Sequence, residues 1–381
     1  MNPAPVFTFT CPVKTNSGNK ALEHLPVELA GLNAGNPLII TSRKAVGQKA
    51  IQTLLDAFGD SGMTLGLFDG VTTTANPELI EHLKSIYLEK KYDAIIALGG
   101  YGVVDAAKVL NLAVSLKTAD AHKLSPATPI RGHLSPLVVV PTAAASGLET
   151  SKFAHFNRMI YSSEYLAPNM VVMDPRLTRG ADGKTIAATG LAALGRAIEA
   201  QISADHNPFR DAYSFAAIRF IKENLPAAVK KPSDKKASLA VLNAASMSGC
   251  AASDTKSARL HKLGQVFYDI QHIPQGVIMA MCLPHVLGDD LKEGVCDVAA
   301  LLHPLVGDDE FARTPAAKRA ETALAVLGRF LSDLYGTLGK DLPRNLKEAC
   351  VPGYRMEDIL DGLGQDEEGR YLKTVVERIT G

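Results

Sequence analysis

The chain carries no strongly basic or acidic block: 40 lysines and arginines balance 40 aspartates and glutamates over 381 residues. Charge therefore gives no sign of a nucleic-acid or anionic-membrane surface. Cysteine is sparse as well. The five residues, Cys11, Cys250, Cys282, Cys296 and Cys350, are scattered, odd in number and without Cys-x-x-Cys spacing. That pattern argues against a disulfide framework or a zinc knot, and for reduced core thiols in a cytosolic protein. No apolar run approaches the roughly 18 residues a membrane helix needs. The first ten residues show no basic region followed by a long apolar one, so no secretory signal is expected. Internal repeats, heptads and low-complexity tracts are missing too. These absences predict a soluble, cytoplasmic, globular protein.

What is present is a composition of 46% hydrophobic and 21% charged residues, in a length that suits two domains with a core each. Short apolar runs at 36–41, 64–68, 93–98 and 136–140 read as strands. Amphipathic stretches at 49–58, 77–90 and about 104–116 read as helices between them. Such alternation predicts a mostly parallel sheet covered on both faces. Beyond Met173-Asp174-Pro175-Arg176-Leu177-Thr178 the strand-like runs stop. Alanine-rich helical patterns follow at 189–203, 208–229, 236–248, 316–338 and 356–363, punctuated by proline and glycine. The expected domains are 1–180, α/β, and 181–381, all-helical, with the boundary near 179–183 and a ligand cleft between them.

Three stretches carry candidate chemistry. Gly99-Gly100-Tyr101-Gly102 joins a buried strand to a helix that includes Asp105 and Lys108. Glycines there serve either to let a phosphate approach the helix N-terminus or only to make a tight turn. Thr142 and Ser146 follow another strand, where their hydroxyls reach a nicotinamide or phosphate, or cap the next helix. From Leu260 to Val286 the residues His261, Gln265, His272 and Gln275 cluster around a Pro-Gln-Gly turn. That cluster suggests a polar site between helices.

These stretches resemble motifs of the iron-containing (group III) alcohol dehydrogenases. Gly99 to Lys108 is similar to their GGGSxxDxAK loop, Pro141 to Glu149 to PTTAGTGSE, and Met173 to Thr178 to the DPxLT turn. Thr189 to Glu199 resembles TGxDALTHAIE, and Leu260 to Val286 resembles HxxxHxLGxxxxxPHGxxxAxxLPHV. Order and spacing hold along nearly the whole chain. The resemblance implies α/β plus all-α architecture, the dehydroquinate synthase-like fold: a Rossmann-like parallel-sheet domain binding NAD or NADP, then a helical domain holding one divalent metal. It also implies interconversion of alcohols with aldehydes or ketones, and a homodimer or larger homo-oligomer.

Carried over residue by residue, the metal site is largely missing. The four ligand positions read Ala192, Arg196, His261 and Gln275, and the second histidine before the turn is Gln265. Alanine offers no donor, and the guanidinium of Arg196 repels a cation, so no catalytic divalent metal is expected. His272 is expected to be an ordinary loop residue. On the cofactor side, Gly99, Gly100, Gly102, Asp105, Thr142 and Ser146 remain available. Tyr101 replaces a glycine, which predicts a strained turn or a blocked pyrophosphate position. Ala145 and Leu148 replace a glycine and a serine. After the first strand, Ser42 and Arg43 stand where the family often has an acid, which either favours a 2′-phosphate, and hence NADP over NAD, or leaves Arg43 and Lys44 simply solvated at a helix start. Two functions compete. One is a metal-independent reductase in which Arg196 polarises the carbonyl and His261 passes the proton. Maleylacetate reductases, a related branch, resemble a precedent, and Arg196 suits an acidic substrate. The other is a non-catalytic homologue with a binding or structural role, in which Arg196 pairs with Glu199 or Asp254.

Overall fold

The computed structural model describes residues 6–43, 47–71, 75–116, 120–127, 129–130, 132–142, 147–253, 255 and 258–381. It divides into two compact units, Thr10–Ala181 and Asp182–Gly381, the latter joined by residues 6–9. Among the described residues no helix is long and apolar enough to cross a membrane.

In the first unit, β1 (Lys14–Ser17), β2 (Pro37–Thr41), β3 (Gly66–Phe68), β4 (Ala94–Gly99), β5 (Leu137–Pro141) and β8 (Met170–Met173) form one sheet. Every pairing is parallel, in the order β1-β8-β5-β4-β2-β3. β2, β4, β5 and β8 are buried along their length, as near-continuous apolar strands covered on both faces must be. Ile39, Ile96, Leu98, Val138, Val140 and Val172 share a core with Leu25 and Leu29 of α1 (Leu25–Gly31) and Ile51 and Leu54 of α2 (Gln48–Asp56). α3 (Pro77–Glu89) packs on α4 (Tyr101–Ser115), which lies against β4 and is buried from Val103 through Val114. An antiparallel hairpin, β6 (Phe153–Phe156) and β7 (Met159–Ser162), stands apart from the sheet.

The topology selects one edge of this sheet. The chain steps outward from β2 to β3 and then returns past β2 to β4 and β5. The strand order therefore reverses between β2 and β4, and crevices at such reversals, beyond the carboxyl ends of the strands, bind ligands. In register, Ile40 lies opposite Phe68, Thr41 opposite Leu98, and Gly99 opposite Pro141. The residues that follow, Ser42 and Arg43, Asp69, Gly100 to Gly102 and Thr142, thus line the same edge.

The second unit is helical. α5 (Gly183–Ile202), α6 (Pro208–Lys230) and α7 (Lys235–Ala252) pack on one another, and α5 also contacts α8 (Arg259–Gln271) and α9 (Gln275–Glu293). Helices Arg319–Leu338 and Glu367–Arg378 flank α9. Side-chain caps mark several starts: Asp182 accepts from Thr185 N, Asn207 from Phe209 N, and Asp234 from Lys236 N.

Three details depart from the sequence reading. Only Cys250 and Cys282 are core thiols. Cys11 and Cys296 are half-buried and Cys350 is exposed, so spacing alone overstated their burial. Pro274-Gln275-Gly276 is no free turn: Pro274 is the N-cap of α9 and Gln275 its first residue. Tyr101 does not strain the turn at Gly99 and Gly100, because it is already the first residue of α4.

Candidate active site

Arg196, His261 and Gln275 converge from α5, α8 and α9. The Arg196 guanidinium donates to Gln275 Oε1 at 2.8 Å and lies 3.2 Å from His261 Nδ1. Gln275 Nε2 donates in turn to Gln265 Oε1, and Gln265 Nε2 to Asp269 Oδ1 at 2.8 Å. Every link runs in one direction, from a cation to a carboxylate, which fixes the orientation of both amides. A guanidinium has no acceptor atom, so His261 Nδ1 must accept and the ring proton of the neutral imidazole resides on Nε2. Arg196, Gln265 and Gln275 are buried, and Ala192 lies one helical turn before Arg196, also buried.

Gly276 explains why these helices stand so close. A Cβ there would lie 1.7 Å from Ala188 O and 2.5 Å from Ala192 N, so only glycine lets α9 cross against the α5 backbone. α8 is positioned differently. Its N-cap, Ala258, has no side-chain oxygen, and the carboxyl group of Glu199 on α5 takes that role by accepting from Leu260 N at 2.6 Å. His261 is the next residue, so Glu199 anchors the turn that presents it. Asp254 lies outside the described residues.

Burial pushes the Glu199 carboxyl up from 4.5 to about 8, although the Leu260 and His261 amides and the charges of Arg259 and Arg196 draw it down. Between those values the folded chain holds a proton that the unfolded chain has released. Stability then falls as pH rises through the window, by at most about 1.4 kcal/mol per pH unit from this group. Glu199→Gln keeps an acceptor for Leu260 N but does not titrate. Its urea midpoint should decline less than the wild type's between about pH 5 and 8; parallel declines would remove Glu199 as the source.

At the sheet edge, no side chain caps α4, and open space surrounds the position of a Cβ at Gly100. Gly99 is required by contact, since a Cβ would meet Val103 Cγ2 at 2.8 Å. Tyr101 turns to the β6–β7 hairpin. Its hydroxyl lies 2.9 Å from His155 Nδ1 and the two rings stack at 5.5 Å. Buried Asp105 accepts from His155 N at 2.8 Å, and buried Lys108 donates to the carbonyls of Leu148, Ser151 and Phe153. Both residues therefore fasten α4 to segment 148–155. Thr142 is buried just beyond β5, and Ser146 and Ala145 lie outside the described residues. Ser42 bridges to Gly70, and exposed Arg43 forms an ion pair with Asp69.

The sequence reading missed Glu199 as a cap, Asp269 at the end of the polar chain, His155 and Asp69; Asp269 meets Gln265 one helical turn away, whereas the other three act across gaps in sequence that no local motif marks. His272 is an exposed left-handed C-cap of α8, with φ of 56°, as suits a loop residue. Among the described residues no group of three or more histidines, cysteines or acids is arranged to hold a metal ion. A cavity of about 480 Å³ lies elsewhere in the helical unit, lined by Phe215, His303, Phe311 and Arg319. Its rings stack on one another, His303 on Phe311 at 4.5 Å with Phe215 edge-on at 4.9 Å, and none of its lining residues belongs to the polar chain.

Comparison with known proteins agrees with this architecture. Residues 12–175 match the family model described as iron-containing alcohol dehydrogenase, and residues 186–358 the model for the C-terminal part of that family. Long-chain-alcohol dehydrogenase 1 of Geobacillus thermodenitrificans (strain NG80-2) is 26% identical over 354 residues, covering 91% of this chain and 88% of that protein. The 1,3-propanediol dehydrogenase of Klebsiella pneumoniae is 25% identical over 357 residues, covering 91% and 89%. Among solved structures, a 1,3-propanediol oxidoreductase superposes with a TM-score of 0.86 at 22% identity, covering 98% of this chain and 100% of that one. Sulfoacetaldehyde reductase from Bifidobacterium kashiwanohense, in complex with NAD+, superposes with a TM-score of 0.81 at 19% identity, covering 99% of each chain.

Proposed function

The chain belongs to the iron-containing alcohol dehydrogenase family, and we propose that it is an NAD(P)-dependent oxidoreductase interconverting CH–OH and carbonyl groups of a small molecule without a divalent metal. The names of its relatives, alcohol and propanediol dehydrogenases, support the reaction class. The placement of Arg196 carries the metal-free part. A divalent ion needs several donors, yet Ala192 has none and Gln275 Oε1 already accepts from the guanidinium. A permanent positive charge stands within hydrogen-bonding distance of His261. These residues do not fit a metal.

Arg196 instead supplies positive charge where a carbonyl oxygen becomes an alkoxide. His261, with Nδ1 turned to Arg196, donates a hydrogen bond from Nε2 to that oxygen and passes to it a proton that water replaces on the ring. The edge at the strand reversal fits a dinucleotide. Gly99, Gly100 and Gly102 give the phosphates access to the first-turn amides of α4, and Thr142 adds a hydroxyl. Asp105, through His155, holds Tyr101 at that turn. Ser42 and Arg43 take the ribose end, where Arg43 favours the 2′-phosphate of NADP. The dinucleotide, when bound, supplies the hydride. In this reading the enzyme is a cytoplasmic homodimer or larger homo-oligomer. The scattered cysteines, without Cys-x-x-Cys spacing, support the compartment, and β1 stands at the edge of the sheet, where strands of a second copy can add.

Titration of the purified protein with NADPH and NADH tests the proposal. Saturable binding of at least one is expected. Absence of binding at millimolar concentration leaves a non-catalytic homologue as the reading. Near-stoichiometric iron or zinc in protein prepared without chelator would remove the metal-free part.

A further inference from the structure

The acid that the sequence lacks after β2 is supplied by the neighbouring strand. Asp69 follows β3 directly, and its carboxylate pairs with the guanidinium of Arg43. The backbones are tied as well: Arg43 N donates to Asp69 O at 3.0 Å, Val71 N donates to Thr41 O at 3.1 Å, and Ser42 bridges to Gly70. The carboxylate and the guanidinium are thus fixed to one point on the carboxyl edge, beside the reversal of strand order. Their chemistries pull in opposite directions. An acid at this place accepts from the 2′-hydroxyl of an adenosine ribose, whereas an arginine accommodates a 2′-phosphate.

Resting on the dinucleotide reading above, we propose that Asp69 determines the choice between the two nicotinamide dinucleotides by setting a carboxylate against the 2′-phosphate that Arg43 would otherwise accept. The side chains of Arg43 and Asp69 are 63% and 31% exposed, so water screens the pair and it is weak. A 2′-phosphate can therefore take the guanidinium, because charge-assisted bonds to phosphate are strong and often bidentate. It then faces the Asp69 carboxylate, and like charges at that distance repel. Unphosphorylated NAD(H) meets no such penalty and gains an acceptor for its ribose hydroxyls. The pair makes the protein accept both dinucleotides with a narrow margin, where Arg43 alone would give a wide preference for the phosphorylated one.

Dissociation constants for NADPH and NADH, measured on the full chain and on two variants, test this. Asp69→Asn removes the repulsion and should raise the ratio of NADPH to NADH affinity about tenfold. Arg43→Ala should lower the ratio of NADPH to NADH affinity about tenfold, reversing the preference. Both substitutions lie at exposed or half-exposed side chains, and NADH binding reports that the edge is intact. If the wild type binds either dinucleotide but the ratio moves less than about twofold in Asp69→Asn, this inference fails and the dinucleotide reading stands. If the wild type binds neither, the dinucleotide reading fails first and takes this inference with it.

Discussion

Arg196→Ala is expected to lower kcat for dinucleotide-dependent carbonyl reduction about 10²- to 10³-fold, the usual effect of removing one donor aimed at a developing oxyanion. The loss should appear in kcat more than in KM, since the charge is needed where the alkoxide forms rather than where the neutral carbonyl docks. Arg196→Lys should recover only part of it. An ammonium keeps the charge, but it lacks the planar fork that reaches the substrate while donating to Gln275 at 2.8 Å. Guanidinium added to the alanine variant should restore some activity, which a purely structural role would not predict. The alanine variant also leaves Gln275 Oε1 without its donor inside the helical unit, so a drop in melting temperature is expected alongside. Wild-type kcat in a variant that binds the dinucleotide normally would remove Arg196 from the chemistry.

How much of this was legible in the sequence differs between the two units. β2, β4 and β5 announce themselves as buried apolar runs, and each was placed within a residue of its observed start. β1 gives no such signal. Its residues, Lys14-Thr15-Asn16-Ser17, are polar because the strand lies at the sheet edge with three of four positions exposed. The start of α4 was expected near residue 104 but lies at Tyr101, because glycine and tyrosine look like loop residues until the helix is seen to begin at the strand end. For the site, His261, Gln265 and Gln275 stand out as a local polar cluster and Arg196 through the family resemblance, and the structure brings all four into one hydrogen-bonded chain. What spacing could not reveal was the support. Glu199 caps α8 from 61 residues away, Asp69 meets Arg43 across two strands, and Gly276 matters for a helix crossing rather than for a turn. Such contacts are made by the packing of elements, so no local pattern records them.

Placing the family's residues at the ligand positions Ala192, Arg196 and Gln275, and at Gln265 beside them, should let the helical unit hold a metal. The combined variant Ala192→Asp, Arg196→His, Gln265→His and Gln275→His is expected to bind about one zinc or iron per chain, read by elemental analysis after dialysis. The physical basis is the retained frame. The Arg196 guanidinium sits 2.8 Å and 3.2 Å from atoms of Gln275 and His261, and donors around a tetrahedral ion at about 2.1 Å stand roughly 3.4 Å from one another. Glu199 still anchors the turn of His261, and Gly276 still permits the close crossing at Ala192. Ala192→Asp alone should bind none, because the fixed charge of Arg196 remains beside the new carboxylate and pairs with it instead. Zinc should raise the melting temperature of the fourfold variant in a concentration-dependent way, as a ligand that binds only the folded state must. It should leave the wild type unmoved. A fourfold variant that folds and binds dinucleotide like the parent, yet retains less than about a tenth of an ion per chain, would show that the frame itself, and not only its side chains, has left the metal-binding geometry.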